Sequence, residues 1–99
     1  MQTTLIATII DEHTTYTFVE VCQQLHIPEA LLLEMEEHGL FTPIISNKQH
    51  LLNQQALQRI EAACRLHRDL EINLAGVVLA LELLDQLEEL QQRLAILER

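Results

Sequence analysis

From Asn73 to its C-terminal end the chain reads as one long helix with a repeating apolar edge. Ala80, Leu83, Leu87, Leu90, Leu94 and Leu97 follow one another at alternating intervals of three and four. That spacing keeps side chains on one stripe of an α-helix, and it is the period of a coiled-coil seam. A chain of 99 residues with such a helix is a small, mainly α-helical protein. A stripe this narrow near a terminus pairs with a copy of itself. Leu83, Leu87, Leu90, Leu94 and Leu97 are therefore the expected dimerisation residues of a homodimer. The seam leaves parallel and antiparallel pairing open. Leu79, Leu81 and Leu84 widen its first half, where the helix is expected to pack on its own domain.

The preceding elements are short. Thr4 to Ile10 is rich in β-branched residues and predicts an edge strand. Thr17 followed by Glu20 is a capping box, and Phe18, Val21, Cys22 and Leu25 continue at helical spacing over about 18–25. His26-Ile27-Pro28 makes a turn. A second helix is predicted over about 29–38, with Leu31, Leu32 and Met35 inward and Gly39 as its left-handed terminator. Two short helices about a tight turn form a helix-turn-helix. Leu40 to Leu52 predicts a two-stranded wing with Ser46-Asn47-Lys48-Gln49 at its tip; without Gly there, the turn type stays open. Asn53 caps a third helix over about 54–70, whose inner side is set by Ala56 or Leu57, Ile60, Cys64, and Leu66 or His67. Asn73 caps the fourth. Gly76 in its first turn predicts close packing of another helix. The chain is thus one domain, 1–99: a strand, helix-turn-helix and wing over about 1–52, then a two-helix part over about 53–99.

Composition decides what kind of partner such a domain can have. The formal charge is −9, and Lys48 is the sole Lys or Arg before Arg59. A nucleic-acid binder needs cations to neutralise phosphates, so no nucleic acid is expected. The same charge attracts a basic protein surface. With 3% aromatics, the core must be aliphatic. No basic leader and no apolar run of membrane-spanning length is present, which predicts a soluble, cytoplasmic protein without a membrane partner.

Catalysis and metal binding find no support in the residues. There is no Gly-rich phosphate loop and no nucleophile motif, and Ser46, the one serine, falls at a turn. The five histidines lack the i, i+4 spacing of a helical zinc site. His38 and His67 suit helix C-termini, where a protonated ring meets the dipole. Cys22 and Cys64 form no C-x-x-C pair and are expected to be buried free thiols. Neither an enzyme nor a cofactor is expected.

The acidic residues are the functional candidates. Glu34, Glu36 and Glu37 cluster on the second helix. Asp69 and Glu71 stand at a helix C-terminus, where the dipole disfavours anions, so a basic partner or a bond to Arg65 or Arg68 must hold them. Glu82, Asp85 and Glu89 mark one face of the last helix. Glu34, Glu37, Asp69, Glu82 and Asp85 are the expected partner-binding residues, against the plainer reading of a solvated face.

Two resemblances give these features a context. Thr17-Phe18-Val19-Glu20-Val21-Cys22, Ile27-Pro28-Glu29-Ala30-Leu31-Leu32 and His38-Gly39-Leu40-Phe41-Thr42-Pro43 resemble the MerR-type winged helix. That family usually carries an Arg and a pair of Tyr in the second helix to contact DNA. Here the segment is Leu33-Glu34-Met35-Glu36-Glu37. Arg65-Leu66-x-x-Asp69-Leu70-x-Ile72-Asn73-x-x-Gly76-Val77, followed by Ala80-Leu81 and Leu83-Leu84-Asp85, is similar to the chaperone-modulator family of the CbpM type. The resemblance spans roughly residues 5 to 95. It implies a MerR-like winged helix-turn-helix with small β elements and a long C-terminal dimerisation helix. It implies a protein that binds the J-domain of a DnaJ-like (CbpA-type) co-chaperone and inhibits its action on Hsp70. The rivals are a MerR-type DNA-binding transcription regulator and an antitoxin-like or purely structural dimer.

Overall fold

The computed structural model describes residues 14–98, so the strand expected over Thr4–Ile10 lies outside the described residues. Strand β1 (Thr15–Thr17) leads directly into helix α1 (Phe18–Leu25). The capping box forms in full. Thr17 Oγ1 accepts from the Glu20 amide at 3.1 Å, and Glu20 Oε1 accepts from the Thr17 amide at 2.9 Å. His26 adopts a left-handed conformation (φ 56°) and ends the helix, and the Ile27 amide reaches back to the Cys22 carbonyl at 3.1 Å. Helix α2 (Glu29–Glu37) starts without a side-chain cap; the Pro28 carbonyl accepts from Leu31 and Leu32 instead. Gly39, at φ +79°, turns the chain after α2, and the Leu40 amide donates to the Met35 carbonyl at 3.0 Å.

The wing is the hairpin β2 (Ile44–Ser46) and β3 (Gln49–Asn53). Asn47 and Lys48 both have positive φ, 50° and 63°, which is the two-residue I′ turn that suits the twist of paired strands. β1 adds a third strand that the sequence reading did not expect. The order is β1-β3-β2, all antiparallel, with Tyr16 opposite Leu52 and Ile45 opposite His50.

Helix α3 (Gln54–Leu70) starts at Asn53, whose side chain accepts from the Ala56 amide at 2.8 Å. It buries Ala56, Leu57, Ile60 and Ala63. These meet Val21, Leu32, Met35, Leu40 and Leu52 in an aliphatic core, with Phe18 edge-on to Phe41 at 6.1 Å. Each such side chain taken wholly from water stabilises the fold by about 1.5–3 kcal/mol. Cys22 and Cys64 are free but half-buried at the margin of this core, not within it as expected.

Helix α4 (Leu74–Leu97) begins at Asn73, which accepts from the Gly76 amide at 2.8 Å. Gly76 does not serve helix packing, contrary to expectation. The nearest neighbours of an added Cβ are Asn73 Oδ1 at 3.3 Å and Ile72 Cβ at 3.8 Å, so the crowding comes from the cap itself. Leu74, Val77 and Leu81 are buried against the head, formed by residues 14–73. Leu79 and Leu84, expected to share that packing, are 56% and 52% exposed. They sit off the stripe that 74, 77 and 81 define.

Candidate protein-binding surfaces

Three surfaces could carry a partner: the outward side of α2, the corner where α3 turns into α4, and the far half of α4. On α2 the helical period turns Leu32 and Met35 inward and leaves Ala30, Leu33, Glu34 and Glu37 exposed. Glu34 and Glu37 have no ion-pair partner among the described residues. Glu36 differs. It leans toward the wing, where one carboxylate oxygen is buried without a hydrogen bond, and His50 Nδ1 stands 3.6 Å away. The His50 ring lies edge-on to Phe18, with centroids 5.9 Å apart. Wing, α1 and α2 are thereby held together at one point.

The carboxylates of the other two surfaces are mostly engaged within the chain. Arg59 on α3 donates from Nε to the Leu40 carbonyl at 2.8 Å and from Nη1 to Asp85 at 2.8 Å. This one side chain ties the segment after α2 to α4 across the core. Nothing local in the sequence signals it, because Arg59 and Asp85 are 26 residues apart. Asp69 is met by Arg68 Nε at 3.2 Å, the local bond that its place at a helix end required. Glu89 is met by Arg93 at 2.7 Å, one turn on. Glu82 is exposed, without an ion pair among the described residues. The five carboxylates expected to bind a partner therefore do not form one patch. Glu34 and Glu37 share α2; Asp69 closes α3; Glu82 and Asp85 lie on α4.

Two shallow hollows flank the α3–α4 corner. One, of about 340 Å³, is lined by Leu31, Glu34, His38, His67 and Leu74. There His67 Nδ1 lies 2.7 Å from the Ile72 carbonyl. The other, of about 400 Å³, is lined by Leu66, Leu70, Leu81 and Leu84, with Arg65 and Asp69 at its rim. Among the described residues no three His, Cys, Asp or Glu side chains converge to hold a metal. Burial pushes the Cys22 thiol up, helped by the charge of Glu29. Burial likewise pushes Cys64 up, with Arg68 pulling against it and Glu61 adding to it. Both thiols stay protonated near neutrality.

Beyond Leu81 every residue of α4 is exposed. Leu83, Leu87, Leu90 and Leu94 keep 51–58% of their surface in solvent, and Leu97 keeps 82%. At about 100° per residue, Leu83 sits about 200° from Leu81. The coiled-coil stripe thus faces away from the head that the first half of the helix covers.

Residues 16–99 match the family described as MerR HTH family regulatory protein. A chaperone modulatory protein CbpM of Coxiella burnetii (strain Dugway 5J108-111) is 38% identical over 92 residues, covering 92% of this chain and 87% of that protein. The chain belongs to the CbpM-type chaperone modulatory family, within the MerR helix-turn-helix fold. A second member, from Pseudomonas putida (strain W619), is 32% identical over 80 residues, covering 80% of this chain and 79% of that one. The names of these relatives describe modulatory proteins rather than enzymes. The fold class read from the sequence, mainly α with a winged helix-turn-helix and small β elements, is the one observed. Among the described residues no helix is long and apolar enough to cross a membrane.

Proposed function

We propose that this protein is a homodimeric chaperone modulator that binds the J-domain of a DnaJ-like, CbpA-type co-chaperone and blocks its stimulation of Hsp70. The observation that carries this reading is the outward side of α2. In a helix-turn-helix protein that reads DNA, this helix needs cations. Here it exposes Glu34 and Glu37 with no internal counter-charge, which repels phosphate and attracts a basic protein surface. The names of the two relatives support the same role. The exposed stripe Leu83, Leu87, Leu90, Leu94 and Leu97 supports the dimer, since a helix with two apolar sides needs two neighbours and the head supplies one.

Calorimetric titration against the purified J-domain of the same organism's CbpA-like co-chaperone, at low and moderate salt, tests the role. Saturable binding that weakens with salt, with loss of J-domain-stimulated Hsp70 ATPase, is expected. Absence of binding at both salts sinks the proposal. Sedimentation tests the dimer: the native chain is expected at twice its monomer mass, and Leu87→Glu with Leu94→Glu at monomer mass with the head still folded. A native monomer removes the dimer from the reading.

A further inference from the structure

Resting on that reading, we infer that the partner docks through a basic amphipathic helix on one face: the outward side of α2 together with the edge strand β2. The first reason is where uncompensated charge remains. On α3 and α4, Asp69, Asp85 and Glu89 each have an arginine within 3.2 Å. From Pro28 to Asn47 there is no Lys or Arg at all, while α2 carries Glu29, Glu34, Glu36 and Glu37. An incoming cation therefore meets unopposed negative charge on α2 and matched pairs elsewhere.

The second reason is apolar. Leu33 lies one turn from Glu29 and Glu37 on α2 and is 45% exposed. Ile45, in the middle of β2, is 69% exposed and pairs across the hairpin with His50. His50 is the residue that touches Glu36. Paired residues of antiparallel strands share a face, so Ile45, His50, Glu36 and Leu33 follow one another across one surface. β2 is also an open sheet edge, because the order is β1-β3-β2. Two aliphatic contacts bracketing carboxylates complement a helix whose lysines or arginines flank short aliphatic side chains. The arginine or lysine stems cover Leu33 and Ile45 while their heads reach Glu34 and Glu37.

Other occupants fit less well. A second copy would set one acidic α2 against another, and the α4 stripe already offers it an uncharged surface. Nucleic acid would bring phosphates to the same carboxylates. The Glu36–His50 contact and the edge-on Phe18–His50 pair give this face its shape, because they hold β3, and with it β2, beside α2.

The test uses the full chain and the purified J-domain. Leu33→Asp, Ile45→Asp and the pair Glu34→Lys/Glu37→Lys are each titrated beside Asp69→Lys and Glu82→Lys, with thermal melts to exclude unfolding. Folded variants on α2 and β2 are expected to bind at least about tenfold more weakly, and the other two within about twofold of the native chain. Amide shift mapping of the ¹⁵N-labelled native chain gives a readout that needs no variant, and the shifts are expected on α2 and the wing. If the native chain binds but shifts and losses fall on α3 and α4, this face is wrong and the J-domain reading stands. If the native chain does not bind, both fall. If Leu33→Asp turns a dimer into a monomer, the face belongs to a second copy and the inference is overturned.

Discussion

The head and the far half of α4 are built from the same residue and treat it in opposite ways. In the head, Leu32, Leu40, Leu52 and Leu57 are at most 2% exposed. In the far half of α4, Leu83, Leu87, Leu90, Leu94 and Leu97 are all at least 51% exposed. Leucine content therefore says nothing about which region stands by itself. The arrangement of neighbouring elements does. α1, α2, the sheet and α3 close around one another, whereas α4 outruns everything that can cover it after Leu81. An isolated helix of such length is marginal in water, so the far half draws its stability from a second surface. The head keeps the fold and the far half sets the assembly.

The sharpest way to break this comparison is to remove equal bulk from each region. Ile60 is wholly buried among the residues of α1, α2 and β3. Ile60→Ala is expected to cost ~2–5 kcal/mol, because the cavity it leaves cannot collapse fully. Leu90 is 58% exposed. At a protein concentration low enough for the monomer, Leu90→Ala is expected to change stability by less than about 0.5 kcal/mol. At high concentration it should weaken self-association. Urea denaturation of both variants across a hundredfold range of concentration measures this. A large, concentration-independent loss for Leu90→Ala would mean that the stripe is covered within one chain.

What the sequence revealed follows a simple division between local and distant causes. Helix ends were legible because their causes are adjacent: Thr17 with Glu20, Asn53 with Ala56, Asn73 with Gly76, and the left-handed Gly39. The α4 stripe was legible because period is local too. Strand β1 was not, since Thr15–Thr17 becomes a strand only by meeting Leu51–Asn53 from far along the chain. The site was half legible. Glu34 and Glu37 share a helix, so their common face could be read. Asp85 could not be judged, because its cation comes from Arg59 on another helix. Leu33 and Ile45 were passed over, since exposed apolar residues become informative only when their surroundings are known.

A smaller effect probes the joint between the two regions. Arg59 connects the Leu40 carbonyl to Asp85 and is itself about three-quarters covered, while Asp85 is 58% exposed. Arg59→Ala leaves the carbonyl without its donor and is expected to cost about 1–2 kcal/mol. Asp85→Asn removes the charge alone and is expected to cost no more than about 1 kcal/mol. A double-mutant cycle on thermal or urea stability separates the two contributions, and the coupling should not exceed that lower figure. Asp85→Lys is the wrong probe of partner binding, because it sets a second cation against Arg59 and disturbs the joint itself. Coupling near zero would mean that Asp85 is a free surface carboxylate after all, and would return it to the candidates for a partner contact.

The smallest effect compares two caps that do the same local work in different settings. Asn53 and Asn73 each accept one amide at 2.8 Å, and replacing either by Ala is expected to cost about 1 kcal/mol, by Gly only a few tenths. Asn53 starts a helix that lies wholly within the head. Asn73 starts the one helix that belongs to both regions. In the monomer, the amides from Leu83 to Leu94 exchange through local opening, since no packing beyond Leu81 protects them. Neither substitution should then alter hydrogen exchange there, although both lower the stability of the head. Faster exchange across Leu83–Leu94 in the monomeric Asn73→Ala chain, and not in Asn53→Ala, would show that α4 melts as one unit from its cap. The boundary at Leu81 would then mark a change in packing without a change in cooperativity, and the far half would owe part of its order to the head.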